Sequence, residues 1–204
     1  MSASINLVPN DPPGGDPRAE SKPGISRIRV SRELLDRTLN CYLPSVRYLV
    51  GADLEFSDNR TPFATEVGEV LSIARGRFTT RTNWYIDDTG HFNAIEFNLC
   101  YNQLVYTLLA QASESHVIPE FSARIPASRF RERQLTDVLI RRYQVTFDCP
   151  MKVDHFVGVV AVRRVIARMG SLFLETHCRI GQEAGPWCAR GNVTLAIVDS
   201  GQEP

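Results

Sequence analysis

Residues 90–112 read GHFNAIEFNLCYNQLVYTLLAQA, with no Pro and no internal Gly. A stretch of that length without a breaker fits only a helix, predicted over about 93–112. Its apolar residues lie nearly all round the axis, the pattern of a helix enclosed by protein or by membrane. Polar Asn93, Glu96, Asn98, Asn102 and Gln103 interrupt it, so the expected enclosure is protein.

On the N-terminal side, residues 70–86 and the run RYLVGADLEF at 47–56 have strand composition, with turn-prone Asn59, Pro62 and Gly68 between them. Ser31 can accept a hydrogen bond from the free N–H groups that open a helix, with Leu34, Leu35 and Leu39 as the apolar stripe and Pro44 as the stop. Residues 1–26 mix Pro, Gly, Asp and Ser and cannot bury enough apolar surface to offset their chain entropy. They are expected to form a disordered tail ahead of a domain at 27–200.

On the C-terminal side, past a loop carrying Pro119 and Pro126, strand-like runs occur at about 135–148, 155–167, 171–180 and 189–199. Leu172, Leu174, Thr176 and Cys178 alternate with Phe173, Glu175, His177 and Arg179, the period of a sheet buried on one face, and Val193, Leu195 and Ile197 repeat it. Met169-Gly170 marks a hairpin between two runs. The order is thus a short helix, two strands, one long buried helix and four strands. One antiparallel sheet curled around the apolar helix covers every amphipathic face in that order, which is an α+β hot-dog fold. The competing arrangement is an ordinary α+β sheet with the helix flat on one face.

Lys+Arg and Asp+Glu are equal at 23 each, so no global field would hold nucleic acid or an acidic membrane surface. There is no apolar run long enough for a membrane span and no basic start followed by an apolar segment, and the expectation is a cytoplasmic protein. Cys41, Cys100, Cys149, Cys178 and Cys188 are odd in number and scattered, which argues for reduced thiols. His91, His116, His155 and His177 form no HxxxH or HExxH pair, so neither a metal nor another cofactor is expected.

Chemistry is expected where residues 85–93, YIDDTGHFN, run into the start of the long helix. Unpaired N–H groups and the positive end of the helix dipole lie there, suited to a carbonyl oxygen that gains negative charge during reaction. An imidazole at His91 can serve as general base, although it can equally cap the helix. Glu96 shares a helical arc with Asn93, Gln103 and Thr107, and is either a buried structural carboxylate or a functional one. Tyr42 and Tyr85 can line the same cleft. Arg141-Arg142 falls on a strand, where alternation turns one of the pair inward to meet a carboxylate or phosphate unless both are solvated. Cys100, with no His at useful spacing, reads as core.

GHFNAIEFNLCYNQLVY closely resembles the central-helix stretch of the FcoT-type, or type III, fatty acyl thioesterases of actinobacteria. The RYL at 47–49, Tyr85-Ile86, the LIR at 139–141, Pro150 and Phe156 extend the resemblance over about residues 33–200. It implies a hot-dog fold and an acyl thioester substrate on coenzyme A or acyl carrier protein. The matching cleft residues are Tyr42, Tyr85, Asn93 and Asn102, with no standard hot-dog catalytic Asp or Glu among them. Relatives of this kind include enzymes that add glycine to the β-carbon of a 2-enoyl thioester, giving a β-amino acid unit used in secondary-metabolite biosynthesis.

That precedent makes addition of glycine to a medium- or long-chain (2E)-enoyl thioester the leading expectation. It assigns His91, Tyr85 and Asn93 to catalysis and Tyr42, Glu96, Asn102 and Arg141 to substrate binding, with Arg141 as an inferred clamp on glycine's carboxylate. The alternatives are an acyl thioester hydrolase and a non-catalytic acyl-thioester-binding module. A homodimer is expected from the otherwise unpaired edge of the curled sheet and from the habit of the family.

Overall fold

The structure is a computed structural model that describes residues 24–80, 91–151, 154–168 and 170–198. In chain order its elements are β1 (Ile25–Arg29), α1 (Arg32–Leu39), β2 (Leu49–Ser57), β3 (Phe63–Thr65), β4 (Gly68–Val70) and β5 (Ser72–Thr79). Then come α2 (Ala94–Ser115), α3 (Pro119–Arg124), α4 (Phe130–Arg133), β6 (Val138–Phe147), β7 (His155–Arg168), β8 (Ser171–Gln182) and β9 (Trp187–Ile197). Seven strands make one antiparallel sheet in the order β1-β2-β5-β7-β8-β9-β6. The first strand after the long helix therefore pairs with the last strand of the chain, Phe147 opposite Ala189.

Helix α2 touches six of those strands. Gln103 Oε1 accepts the N–H groups of Tyr48 and Leu49 at 2.9 and 3.0 Å where β2 begins. Leu104 abuts Gly76 on β5, where an added Cβ would come within 3.0 Å of it. Contacts with β7 follow, then a 2.8 Å hydrogen bond between Tyr101 Oη and Thr176 Oγ1 on β8. The Phe97 ring lies over Gly191 on β9 and packs edge-on against Tyr143 and Phe147 of β6. Six strands laid flat span roughly 24 Å, whereas a helix with its side chains is about 10–12 Å wide. Only a sheet curled around the helix meets it on so many strands, and the fold is the hot-dog arrangement, not a flat α+β layer.

Local signals account for the helix ends. Ser31 Oγ accepts the Leu34 N–H at 3.1 Å and opens α1, whose Leu34, Leu35 and Leu39 are buried against the core that includes α2. At the far end of α2, His116 takes the left-handed conformation, φ 53°, and stops the helix.

Three details differ from expectation. Ile25 and Ser26 belong to β1 and pair with Ser57 and Phe56 of β2, so the sheet begins inside the segment read as tail. Residues 1–23, the remainder of that segment, lie outside the described residues, as do 81–90, 152–153, Met169 and 199–204. The turn-rich 59–70 stretch folds into the β3–β4 hairpin, which lies on the outer face of the sheet and buries Val67 and Val70 against Ile73, Val159 and Ala161. Finally, Cys149 and Cys188 are joined as a disulfide, with Cα atoms 4.7 Å apart, although 39 residues separate them. The pairing of β6 with β9 brings them together, which spacing along the chain does not reveal.

Candidate active site

The start of α2 is built by three reciprocal contacts. Asn93, in extended conformation, accepts the Ile95 N–H at Oδ1 (2.8 Å), and its side chain also caps the backbone N–H of Glu96. Glu96 Oε2 reaches back to accept the Asn93 N–H at 3.1 Å, completing a capping box. Phe92, just before the cap, packs edge-on against Phe97, the staple that sets the angle at which the chain enters the helix. Phe92 N–H also donates to the carbonyl of Met151 at 3.0 Å, which ties the helix entrance to the segment after β6.

That tie creates a cleft of about 370 Å³. His91, Phe92, Asn93 and Ala94 form one wall, and Phe147, Asp148, Cys149 and Pro150 the other. The capping box occupies the Ile95 and Glu96 N–H groups. Ala94, at the first helical position, has no acceptor within the helix for its own N–H, and it lines the cleft. Asp148 is ion-paired with Arg190 of β9, and the backbone N–H groups of Asp148 and Cys149 donate to Cys188 O at 2.7 and 3.3 Å. The second wall is thus pinned to β9 through backbone bonds, an ion pair and the disulfide.

His91 is exposed at the lip and Asn93 half-buried beside it, so these two are brought together. Tyr85 falls outside the described residues. Glu96 lies next to Asn93 but is fully buried, with Oε2 held by the Asn93 N–H in the capping box, and it does not line the cleft. Asn102 sits farther along α2, half-buried, in a stripe with Ile95, Asn98 and Leu99 that the chain's own sheet does not cover. The next helical position on that stripe is Tyr106, and Tyr42 is half-buried next to it. Burial pushes the Tyr42 phenol far up, with Tyr106 next in effect, so it stays protonated at neutral pH.

Arg141 departs from the clamp expected of it. A bulge between Ile140 and Arg142 breaks the alternation of β6, leaving Arg141 and Arg142 both exposed. The Arg141 guanidinium lies 4.9 Å over the Phe173 ring and does not line the cleft. Alternation along a strand predicts an inward arginine only while the ladder is regular.

Sequence reasoning missed Asp148 and Arg190. They are 42 residues apart, and only the β6–β9 pairing makes them neighbours. Among the described residues no group of three His, Cys, Asp or Glu side chains is placed to hold a metal ion.

The FcoT-like thioesterase domain family matches residues 37–197. A (2E)-enoyl-[ACP] glycyltransferase of Streptomyces coeruleorubidus is 32% identical over 171 residues, covering 81% of this chain and 96% of its own length. The Mycobacterium marinum protein of that name is 29% identical over 175 residues, 83% of this chain and 88% of its own. The Mycobacterium tuberculosis protein of that name is 32% identical over 179 residues, 84% of this chain and 89% of its own.

Proposed function

The chain belongs to the FcoT-like thioesterase family, and from that premise we propose that it adds glycine to the β-carbon of a (2E)-enoyl thioester held on an acyl carrier protein. The product is a 3-(carboxymethylamino)acyl thioester, a β-amino acid unit for secondary-metabolite biosynthesis. Relatives 32% and 29% identical carry that activity in their names, and one observation supports it here: the cleft at the start of α2 is lined by His91, by Ala94, whose N–H has no acceptor within the helix, and by Asp148, which is ion-paired with Arg190.

The chemistry follows from that set. Asp148 receives glycine's ammonium and Arg190, held beside it, the carboxylate. His91 takes a proton from the ammonium, and the freed nitrogen attacks the β-carbon. The electrons of the double bond move toward the thioester oxygen, where the Ala94 N–H and the positive end of α2 meet the developing charge. The proton returns to the α-carbon. Every atom of both reactants is retained, and the thioester stays intact. Asn93 holds the geometry of this site as the helix cap.

The buried side of α2 is filled by Phe97, Tyr101, Leu104 and Leu108, each at most 1% exposed, and leaves no room for an acyl chain. The uncovered stripe from Ile95 through Leu99 to Asn102 runs roughly 10 Å from the cleft toward the buried Tyr106 and Tyr42. We assign the acyl chain to that stripe. A second copy of the chain covers it: β6 is an edge strand with Leu139, Ile140 and Phe147 each about 40% exposed, and an unpaired apolar edge favours a symmetric dimer. Among the described residues no helix is long and apolar enough to cross a membrane; we place the reaction in the cytoplasm, where carrier-bound enoyl chains are made.

The test is intact-protein mass spectrometry of an enoyl-loaded carrier protein after incubation with enzyme and glycine. A gain of one glycine is expected, with His91→Ala slower by about 10²–10⁴ in a folded protein. Loss of the acyl group independent of glycine replaces addition with hydrolysis. Bound thioester without turnover makes the chain a binding module.

A further inference from the structure

The chain balances 23 basic against 23 acidic residues, but strands β6 to β9 hold seven arginines and a single acidic residue, Glu175. None of the seven is buried, because the inward positions of these strands are taken by side chains packed against α2. The other half of the sheet is neutralised in place: Arg27 pairs with Glu55, Arg29 and Arg77 with Asp53, and Arg75 with Glu55 and Glu66. On β6–β9 only Arg164 and Arg190 have a carboxylate at ion-pair distance among the described residues. Arg163 and Arg179 donate to the carbonyls of Val67 and Glu66, Arg179 is near enough to the Glu66 carboxyl to help lower its pKa, and among the described residues Arg142 has no ionic partner.

Beneath these guanidinium groups lies His177, 6% exposed, with Nδ1 bonded to Asn192 Oδ1 at 2.9 Å and Nε2 buried without a partner. A cleft of about 200 Å³ opens between Arg142 and Arg163 above Asn192 and Thr194. The cationic face also reaches the active-site cleft. Arg179 is the register partner of Arg190, whose ion pair with Asp148 forms part of the cleft wall.

We propose that this outer face of β6–β9, centred on Arg142, Arg163 and Arg179, docks an acidic surface of the carrier protein that brings the thioester. The identity of that carrier rests on the glycine-addition reading above. Unneutralised arginines on an otherwise balanced chain attract an acidic partner and orient its approach. A carrier seated here has the cleft lip at Asp148 beside it, within reach of its flexible thiol arm.

The test offers one enoyl chain on two carriers, the acyl carrier protein and free pantetheine, to the full chain, to Arg142→Glu and to Arg142→Glu/Arg179→Glu. The double variant is expected to raise KM for the protein-borne substrate about tenfold or more, with kcat held and the pantetheine substrate unaffected. Arg142→Glu alone, at an exposed side chain without an ionic partner, shifts KM in the same direction and guards against a folding defect. Fluorescence anisotropy of a labelled carrier protein reads docking without turnover. If no adduct forms on either carrier but binding still depends on these charges, the reaction is wrong and the docking face stands. If the adduct forms while charge reversal alters neither KM nor anisotropy, the docking face is wrong. Equal loss on both substrates, or binding of heparin in place of the carrier, also overturns it.

Discussion

Asn93 and Glu96 cap each other: the Asn93 side chain holds the Glu96 N–H, and Glu96 Oε2 accepts the Asn93 N–H at 3.1 Å. Glu96 Oε2 is thereby committed to the backbone of the helix entrance. Glu96→Gln preserves an acceptor for the box and is expected to keep both fold and turnover. Glu96→Ala loses it and is expected to cost about 1 kcal/mol of stability. Thermal melts and glycine-adduct rates on the two variants check this, and a Gln variant that folds but is inactive would make Glu96 a catalytic base.

The Asp148–Arg190 pair should govern glycine and not the acyl chain. Asp148→Asn and Arg190→Ala are each expected to raise KM for glycine roughly 10- to 100-fold, the scale of one lost charge-assisted hydrogen bond. KM for the enoyl thioester should stay put. Steady-state kinetics with each substrate varied in turn decides it, and a rise confined to the thioester would move the pair to carrier binding.

Burial pushes the His177 pKa below its ordinary 6.5; the Asn192 bond opposes the shift, and Arg163, Arg179 and Arg190 reinforce it. The folded value lies below the unfolded one, so the stability carried by the neutral ring is present above about 6.5 and is lost as pH falls through the folded value. Melting temperature should therefore drop as pH falls below about 6.5 in the native chain and drop less in His177→Gln. Equal slopes would show that the His177 ring is not the group responsible.

Thiol titration tests the disulfide. Denatured without reductant, the chain should show only the three free thiols, Cys41, Cys100 and Cys178; natively, only Cys41 is not buried. Five thiols without reductant would show the pair open. Closing a loop of 39 residues is worth about 4 kcal/mol in the chain-entropy treatment, so reduction or Cys188→Ser should lower the melting temperature by several degrees.

The breaker-free run at 90–112 determined by itself that a long helix is buried, and the period-two runs after residue 135 determined that a sheet covers it, because hydrophobic spacing is a local property of the chain. The Ser31 cap is equally local, held within one turn by its bond to Leu34. His91 and Asn93 could be placed at a helix start for the same reason. Gln103 was visible as a polar residue on an apolar helix, but not its partners, the Tyr48 and Leu49 N–H groups more than 50 positions away. Glu96 was ambiguous until the cap geometry showed which way its carboxylate turns. Arg141 was misplaced because one bulge reverses alternation, and spacing carries no mark of a bulge. Asp148, Arg190 and the Cys149–Cys188 bond depended on β6 closing against β9. Which strand pairs with which is decided by long-range burial across the whole sheet, and no window of neighbouring residues contains it.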